Sequence, residues 1–256
     1  VTLLRDSEMQ VMQVSHTVND GHSSEVLTEL TGTGAQVQRH AHPLDCVHPG
    51  MKLLRSEAAG ADGHCGIAAH YRISVTDGER VAGRDAVRMR IDPRDMYRFG
   101  YVFTLDRETG LPLKTMTLNH GSETLEVMQF AHVSYSDPVP AASPGDIVHE
   151  AQHPGPGGDE TLYAVANAWT VGWLPRGFTP TDQSAGSVGR RTYTDGLAVF
   201  SVFLEELDKE IRPGEGLVKR GGTTTYTRGM RVSGRPVLVT VIGEVPVNTA
   251  RMVADS

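Results

Sequence analysis

The sequence predicts an α+β fold made mainly of antiparallel strands, with little helix. Aromatic residues occupy alternate positions between residues 97 and 103, a spacing that places their side chains on one face of a strand. Turn signals rich in Asn, Asp and Gly separate the apolar segments at short intervals. Helical patterning is confined to a short piece near residues 52–59 and to residues 246–255. Together these three observations favour antiparallel sheets over a helical or parallel α/β fold.

A β-meander between residues 91 and 135 is the clearest signal. Its first strand is predicted to place one row of side chains on a single face: Tyr97, Phe99, Tyr101, Phe103 and Leu105. Residues 106–110 turn the chain, and a second strand follows over Leu111–Leu118. After a turn at residues 119–122, a third strand begins near Leu125.

The flanking segments suggest two domains. Upstream of the meander, the Asn19-Asp20-Gly21 turn predicts a hairpin, and residues 42–66 form an irregular crossing. Residues 137–160 are rich in Pro and Gly, which is typical of a linker, although Ile147, Val148 and Ala151 could form a short docked piece. We therefore expect a first domain over residues 1–136 and a second over residues 161–256.

Strands and one closing helix are predicted for the second domain. Residues 169–178 favour a strand that runs into a tight turn, and residues 190–205 form a hairpin around Asp195-Gly196. Two more strands follow at residues 223–230 and 237–245. The closing helix is expected over residues 246–255, capped by Asn248 or Thr249.

Composition excludes several classes of function. The chain has 256 residues, 39% of them hydrophobic, and a net charge of −7, which argues against nucleic-acid binding. No apolar run reaches the roughly 20 residues that span a bilayer. No nucleophile elbow, phosphate-binding loop, dinucleotide glycine pattern or zinc-protease pair occurs, so we expect no enzyme and no cofactor.

Because residues 1–5 resemble the inside of a strand, we expect a longer natural N-terminus that includes any targeting segment.

Histidines and cysteines cluster in the irregular segment. The cluster comprises His40, His42, Cys46, His48, Cys65 and His70. Imidazole and thiolate groups suit zinc or copper, but this spacing matches no standard zinc module. We favour exposed histidines beside a single disulfide, with two buried thiols as the alternative.

Two blocks of sequence resemble the same known family. The first contains Pro93-Arg94-Asp95, residues 97–101 and the string Leu105–Lys114, and continues through Leu125-Glu126 and Phe130. The second contains Trp173-Leu174-Pro175, residues 193–205 and Gly243-Glu244-Val245-Pro246. In this order they resemble the sigma-E factor regulatory protein family, RseB and MucB.

The resemblance implies a periplasmic negative regulator in envelope-stress signalling. Its first domain would be an open, curved β-barrel similar to the lipoprotein carriers LolA and LolB, and its second a smaller α/β domain. The partner would be the periplasmic domain of a transmembrane anti-sigma factor, RseA- or MucA-like, shielded from proteolysis until lipid or lipopolysaccharide acyl chains release it. Homo-oligomers are a further expectation. In the periplasm, Cys46 and Cys65 would form a disulfide.

Two sets of residues are candidates for these binding roles. An apolar ligand would contact the meander through Tyr97, Phe99, Tyr101, Phe103 and Met116, although such rows are more often simply core. The anti-sigma factor would contact the second domain through Trp169, Trp173, Phe178 and Tyr193, which could equally be core. A lipid carrier of the LolA/LolB type is the alternative function, and a metalloenzyme built on His40, His42 and His48 is a third.

Overall fold

A computed structural model of the chain describes residues 1–20, 22–32, 34–43, 66–135, 148–151, 169–181, 189–207, 214–232 and 235–256. Within these ranges the chain forms two β-sheets and one α-helix. No helix in the described residues is long and apolar enough to cross a membrane. Cys46, His48 and Cys65 lie outside these ranges, as does the short helix expected near residues 52–59, and the same holds for the side chains of His40 and His42.

The N-terminal sheet contains ten strands. They are β1 (Thr2–Arg5), β2 (Glu8–Asn19), β3 (His22–Glu29), β4 (Gln36–Pro43), β5 (Tyr71–Asp77), β6 (Ala86–Pro93), β7 (Gly100–Asp106), β8 (Pro112–Leu118), β9 (Thr124–Gln129) and β10 (Val148–Ala151). Their order across the sheet is β10-β4-β3-β2-β1-β9-β8-β7-β6-β5, and every pairing is antiparallel except that of β10 with β4. Among the described strands, β5 and β10 are opposite edges that do not pair with each other, so this sheet is open, which confirms the predicted fold class.

Strand β10 lies inside the segment predicted as a linker. Val148 and Ala151 add a parallel strand to the edge of the N-terminal sheet, beside β4, as a docked piece would. The domain boundaries at residues 136 and 161 stay a prediction.

The first strand of the meander is shorter than predicted. It begins at Gly100, so Tyr97 and Phe99 precede it, and residues 94–98 form a series of bends. The Asp95 carboxylate accepts a hydrogen bond from the Tyr97 amide at 3.0 Å, a local turn that competes with strand pairing. The Arg98 guanidinium also donates to the Asp95 carboxylate three residues earlier, a second local contact in this bend.

The C-terminal sheet contains six strands and packs one helix. The strands are β11 (Thr179–Pro180), β12 (Arg190–Thr194), β13 (Val199–Glu206), β14 (Glu215–Arg220), β15 (Thr223–Val232) and β16 (Arg235–Gly243). Their order is β11-β12-β13-β16-β15-β14, and helix α1 (Val247–Ala254) lies against β15 and β16. Val202, Val241 and Tyr226 form one row across three strands, and they are buried under Ala250 and Val253 of α1. Residues 169–178, expected to be a strand, form none; they are coil with a turn at Arg176-Gly177.

Helix α1 begins without the predicted cap. Pro246 occupies the N-cap position and supplies no side-chain hydrogen bond, while Asn248 and Thr249 lie inside the helix. Both side chains instead bond to carbonyls of the bent segment before β7: Asn248 Nδ2 to Met96 at 3.2 Å, and Thr249 Oγ1 to Tyr97 at 3.0 Å. The cap prediction was therefore wrong because these polar groups connect the two sheets.

Candidate functional site

A buried ion pair joins the two sheets. The side chains of Arg98 and Asp195 are both fully buried, and Arg98 Nε donates to Asp195 Oδ2 at 2.7 Å. The remaining guanidinium nitrogens of Arg98 donate to the Asp95 carboxylate and to the Arg176 carbonyl. Its planar group also lies 5.0 Å from the ring centre of Phe178, a cation–π contact. All of these contacts compensate a charge that would otherwise be costly to bury.

Asp195 stabilises a hairpin turn in addition to forming the ion pair with Arg98. Its Oδ1 accepts the backbone N–H groups of Leu197 and Ala198 at 3.0 and 2.9 Å, which closes the turn between β12 and β13. Its Oδ2 accepts from Arg98 and from the Tyr71 hydroxyl at 2.8 Å. Burial, and then the charge of Asp195, raise the pKa of Tyr71 far above its ordinary value, so this hydroxyl stays protonated and remains a donor. The turn is thus fastened directly to the N-terminal sheet.

His70 lies at the edge of this junction, against the backbone of Gly177. A side chain at Gly177 would overlap the His70 ring, and the positive φ of Gly177, 87°, also favours glycine. Partial burial lowers the pKa of His70, and the charge of Arg98 adds to the shift. Asp195 and Asp95 oppose the shift, and Arg176 reinforces it. A neutral His70 therefore fits beside the cationic groups.

A second contact joins the tip of the β14–β15 hairpin to the first strands. The amide of Gly221 donates to Asp6 Oδ2 at 2.7 Å, and Arg220 pairs with Glu8 at 3.1 Å. A Cβ on Gly222 would lie 3.1 Å from a methyl group of Thr117 on β8. The C-terminal sheet therefore touches the N-terminal sheet at two separated places.

Both contacts involve one face of the N-terminal sheet, which we call the junction face. In an antiparallel sheet directly opposite residues point to the same side, and the register pairs Tyr101 with Thr117 and Thr117 with Glu126. The next row of this face runs across five strands and is half-buried: Met89, Phe103, Thr115, Met128 and Leu3. This row is mostly apolar, and its two methionines adapt to irregular ligands.

The predicted ligand residues are only partly brought together. Tyr101 and Phe103 stack at 6.0 Å on the junction face, and Phe99 packs in the same cluster. Tyr97 instead meets Trp173 edge-on at 5.1 Å, between the sheets. Met116 pairs directly with Val102, so it lies on the opposite face from Tyr101. Met89, Met128 and Leu3 were missed, although the alternation of their strands was available in the sequence.

The predicted partner residues are mainly core. Phe178 and Tyr193 are buried, and each ring packs against Phe200, at 5.1 and 5.4 Å. Trp169 is half-buried, lies under Arg191 at 5.0 Å and lines a cleft of about 270 Å³ beside α1. Their role in partner binding stays a prediction, and of the four residues Trp169 lines this cleft.

The described residues offer no cluster of three or more metal-binding side chains, and most of the histidine–cysteine cluster lies outside them.

Tyr101 has a buried hydroxyl with no hydrogen-bond partner in the described part of the chain. Burial, then the nearby charge of Glu244, raise the pKa of Tyr101, so its hydroxyl stays protonated and can donate a hydrogen bond.

Comparison with known proteins gives matches along both parts of the chain. Residues 1–147 match the model of the MucB/RseB N-terminal domain, and residues 164–256 match that of the MucB/RseB C-terminal domain. The sigma factor AlgU regulatory protein MucB of Pseudomonas aeruginosa is 33% identical over 98% of this chain and 82% of its own length. The sigma-E factor regulatory protein RseB of Escherichia coli K12 is 26% identical over 74% of this chain and 60% of its own length.

Solved structures give the same result. A crystal structure of MucB in complex with MucA(peri) superposes with a TM-score of 0.72 at 31% identity, covering 99% of this chain and 89% of that one. A second crystal structure, of MucB, superposes with a TM-score of 0.64 at the same identity, covering 100% of this chain and 89% of that one. The sequence and the fold agree over both sheets, and the chain belongs to the MucB/RseB family.

Proposed function

We propose that this chain is a periplasmic negative regulator of a sigma-factor pathway, which binds the periplasmic domain of a transmembrane anti-sigma factor. The observation that supports it most is the match of nearly the whole chain to MucB, including a structure of MucB in complex with MucA(peri). Its relatives are named as regulatory proteins, in keeping with a site built for binding. The bound segment would be shielded from proteases while the complex lasts.

We infer that the two sheets are arranged as they are when the partner binds. This chain superposes better on a structure described as MucB in complex with MucA(peri), with a TM-score of 0.72, than on one described as MucB, with a TM-score of 0.64, although both are 31% identical to it. Because the identity is the same, the difference in score reflects shape rather than divergence. We infer that the Arg98–Asp195 junction described above holds the arrangement that receives the partner.

Release by an acyl chain is the second half of the proposal. The half-buried row from Met89 to Leu3 offers an apolar surface on the junction face, beside the contacts that hold the C-terminal sheet. A lipid or lipopolysaccharide acyl chain on this row would favour a different arrangement of the sheets from the one that receives the partner. The two ligands would then compete by shifting one conformational equilibrium.

Binding and protection of the partner test this proposal. The purified chain is mixed with the periplasmic segment of the anti-sigma factor from the same organism, and affinity and protease resistance of the segment are measured. We expect saturable binding, with slower cleavage of the segment in the complex. If the chain binds acyl chains and transfers them to vesicles but leaves the segment unbound and unprotected, the carrier function is correct instead.

A further inference from the structure

Strand β5 is an open edge of the N-terminal sheet. Among the described strands it pairs only with β6. Every residue of β5 after Tyr71 is exposed, including two large apolar ones: Ile73 at 40% and Val75 at 61%. Such an edge presents a row of backbone groups to which another strand can add.

The features that usually protect an edge strand are missing from the middle of β5. Charges, prolines and very short strands discourage the addition of a further strand. Residues 73–76 contain neither a charge nor a proline. The other described edges are protected, since β14 has three charged residues, β11 ends in Pro180 and β10 has only four residues. Strand β5 is therefore the edge best suited to accept an added strand.

The ladder with β6 shows which backbone groups of β5 point outward. At its two ends, the amide of Gly78 donates to the carbonyl of Ala86 at 3.1 Å, and the carbonyl of His70 accepts from the amide of Arg94 at 2.9 Å. Backbone groups of successive residues point to opposite sides of a strand, so the even-numbered residues between these ends also bond towards β6. The outward amides and carbonyls are therefore those of residues 73, 75 and 77.

One face of this edge is apolar. Directly opposite residues point to the same side of an antiparallel sheet. The register pairs Ile73 with Ile91 and Val75 with Met89, so both β5 side chains lie on the junction face. An added strand with apolar residues at alternate positions would cover these two side chains and extend the apolar row by one strand.

The other face of the edge is positively charged. Arg72 on β5 and Arg88 on β6 are exposed, and neither forms a salt bridge with another described residue. A carboxylate on the added strand opposite Arg72 would pair with it directly. A carboxylate opposite Thr76 would lie two strand spacings, about 10 Å, from Arg88, since the register pairs Thr76 with Arg88. An arginine and a glutamate side chain together span that distance, so two carboxylates complement this face.

We propose that the β5 edge binds an extended acidic segment of a second polypeptide by strand addition. Two apolar side chains of the segment face Ile73 and Val75, and its carboxylates lie opposite Arg72 and Thr76. This partner is distinct from the anti-sigma factor. Among the described residues, the contacts between the two sheets leave the outward backbone groups of β5 unused, so both partners can bind at once.

A short peptide tests the strand addition. The probe is Glu-Val-Thr-Val-Glu, flanked by Gly-Ser and blocked at both ends, and its pattern is the same for parallel and antiparallel addition. Millimolar peptide should slow hydrogen exchange at the amides of residues 73, 75 and 77, whereas the amides of residues 72, 74 and 76 are protected with and without it. No change at the three outward amides, or protection of them in the free chain, would overturn the proposal.

Substitutions separate backbone pairing from charge. Val75→Pro removes one outward donor and none of the bonds to β6, so the chain should fold and bind the peptide about tenfold more weakly. Arg72→Glu should weaken binding about fivefold and restore it with a Lys-Val-Thr-Val-Lys peptide. Arg190→Glu, at an exposed site of the C-terminal sheet, is the matched control and should bind like wild type. Thermal melting checks folding; if Val75→Pro does not fold, equal peptide binding by the two charge variants still contradicts the proposal.

Competition identifies the occupant. The periplasmic segment of the anti-sigma factor, in excess, should leave the peptide bound, because the two sites are separate. Displacement of the peptide by that segment would assign the edge to the anti-sigma factor, and loss of peptide binding as the chain is concentrated would assign it to a second copy. Either result would overturn the proposal without affecting the measured binding of the anti-sigma segment.

Discussion

At the scale of single residues, Arg98 and Asp195 depend on each other because both charges are fully buried. Replacing Arg98 by Leu removes the positive charge and leaves the Asp195 carboxylate buried without its ionic partner. We expect the free energy of unfolding to fall by about 3–5 kcal/mol, measured by urea denaturation. Arg80→Leu is the matched control, since the Arg80–Asp85 pair is exposed and should contribute less than about 1 kcal/mol. Equal losses in the two variants would show that the junction does not stabilise the fold.

His70 gives the junction a dependence on pH. Its pKa is lowered in the folded chain because burial and Arg98 disfavour the imidazolium. The unfolded chain therefore binds this proton more tightly, so the stability is full above the ordinary histidine pKa and declines as pH falls through it. We expect the melting temperature of wild type to drop more between pH 7.5 and 5.5 than that of His70→Gln. His16→Gln changes an exposed site and is the control, so its melting temperature should drop as much as that of wild type. If the melting temperature of His70→Gln drops as much as that of wild type, His70 is not the group responsible.

At the scale of elements, the turn at Arg176-Gly177 needs a glycine for two reasons. Gly177 has a positive φ and would overlap His70 with any Cβ, whereas Gly110 has a similar φ of 73° and open space around it. Gly110→Ala should therefore cost only the backbone strain, about 1–2 kcal/mol. Gly177→Ala should cost more, because the turn must also move away from the N-terminal sheet. Thermal melting of both variants checks this, and equal losses would mean that the close approach is unimportant.

The elements that sequence could predict are those set by local patterns. The hairpin at Asp20, the turn at Asp195-Gly196 and the buried face of α1 all follow from turn chemistry or periodicity. The predicted start of β7 and the predicted cap of α1 were wrong because Asp95, Asn248 and Thr249 form contacts that local rules do not contain. Met116 was placed with the aromatic row by composition, and only the register of β8 shows that it faces the other way.

The junction itself was not predictable from one sequence. Arg98 and Asp195 are 97 residues apart in the sequence. Locally, Arg98 is explained as a polar residue of a predicted strand, and Asp195 is explained as a turn residue. Their pairing depends on how the two sheets dock. The half-buried row from Met89 to Leu3 was partly predictable from the sequence. Alternation in β6, β7 and β9 identifies the members of the row on each strand, but it does not give the order of the strands in the sheet.

At the scale of the whole molecule, we propose that an acyl chain on the junction face and the anti-sigma factor on the docked sheets share one conformational equilibrium. The free energy that couples two ligands is reciprocal, so each must weaken the other by the same factor. A variant that loosens the junction, such as Arg98→Leu, should bind the partner more weakly even without lipid, provided that it is measured well below its melting temperature.

The most direct test is the affinity of the full chain for the periplasmic segment of its anti-sigma factor, measured by titration calorimetry with and without a saturating acyl-chain ligand. The coupling energies typical of allosteric proteins predict that the ligand weakens partner binding by about 5- to 150-fold. Met89→Ser with Met128→Ser should reduce this effect, whereas Met116→Ser, on the opposite face, should leave it unchanged. An affinity for the segment that is the same with and without saturating ligand would show that the two binding sites are not coupled.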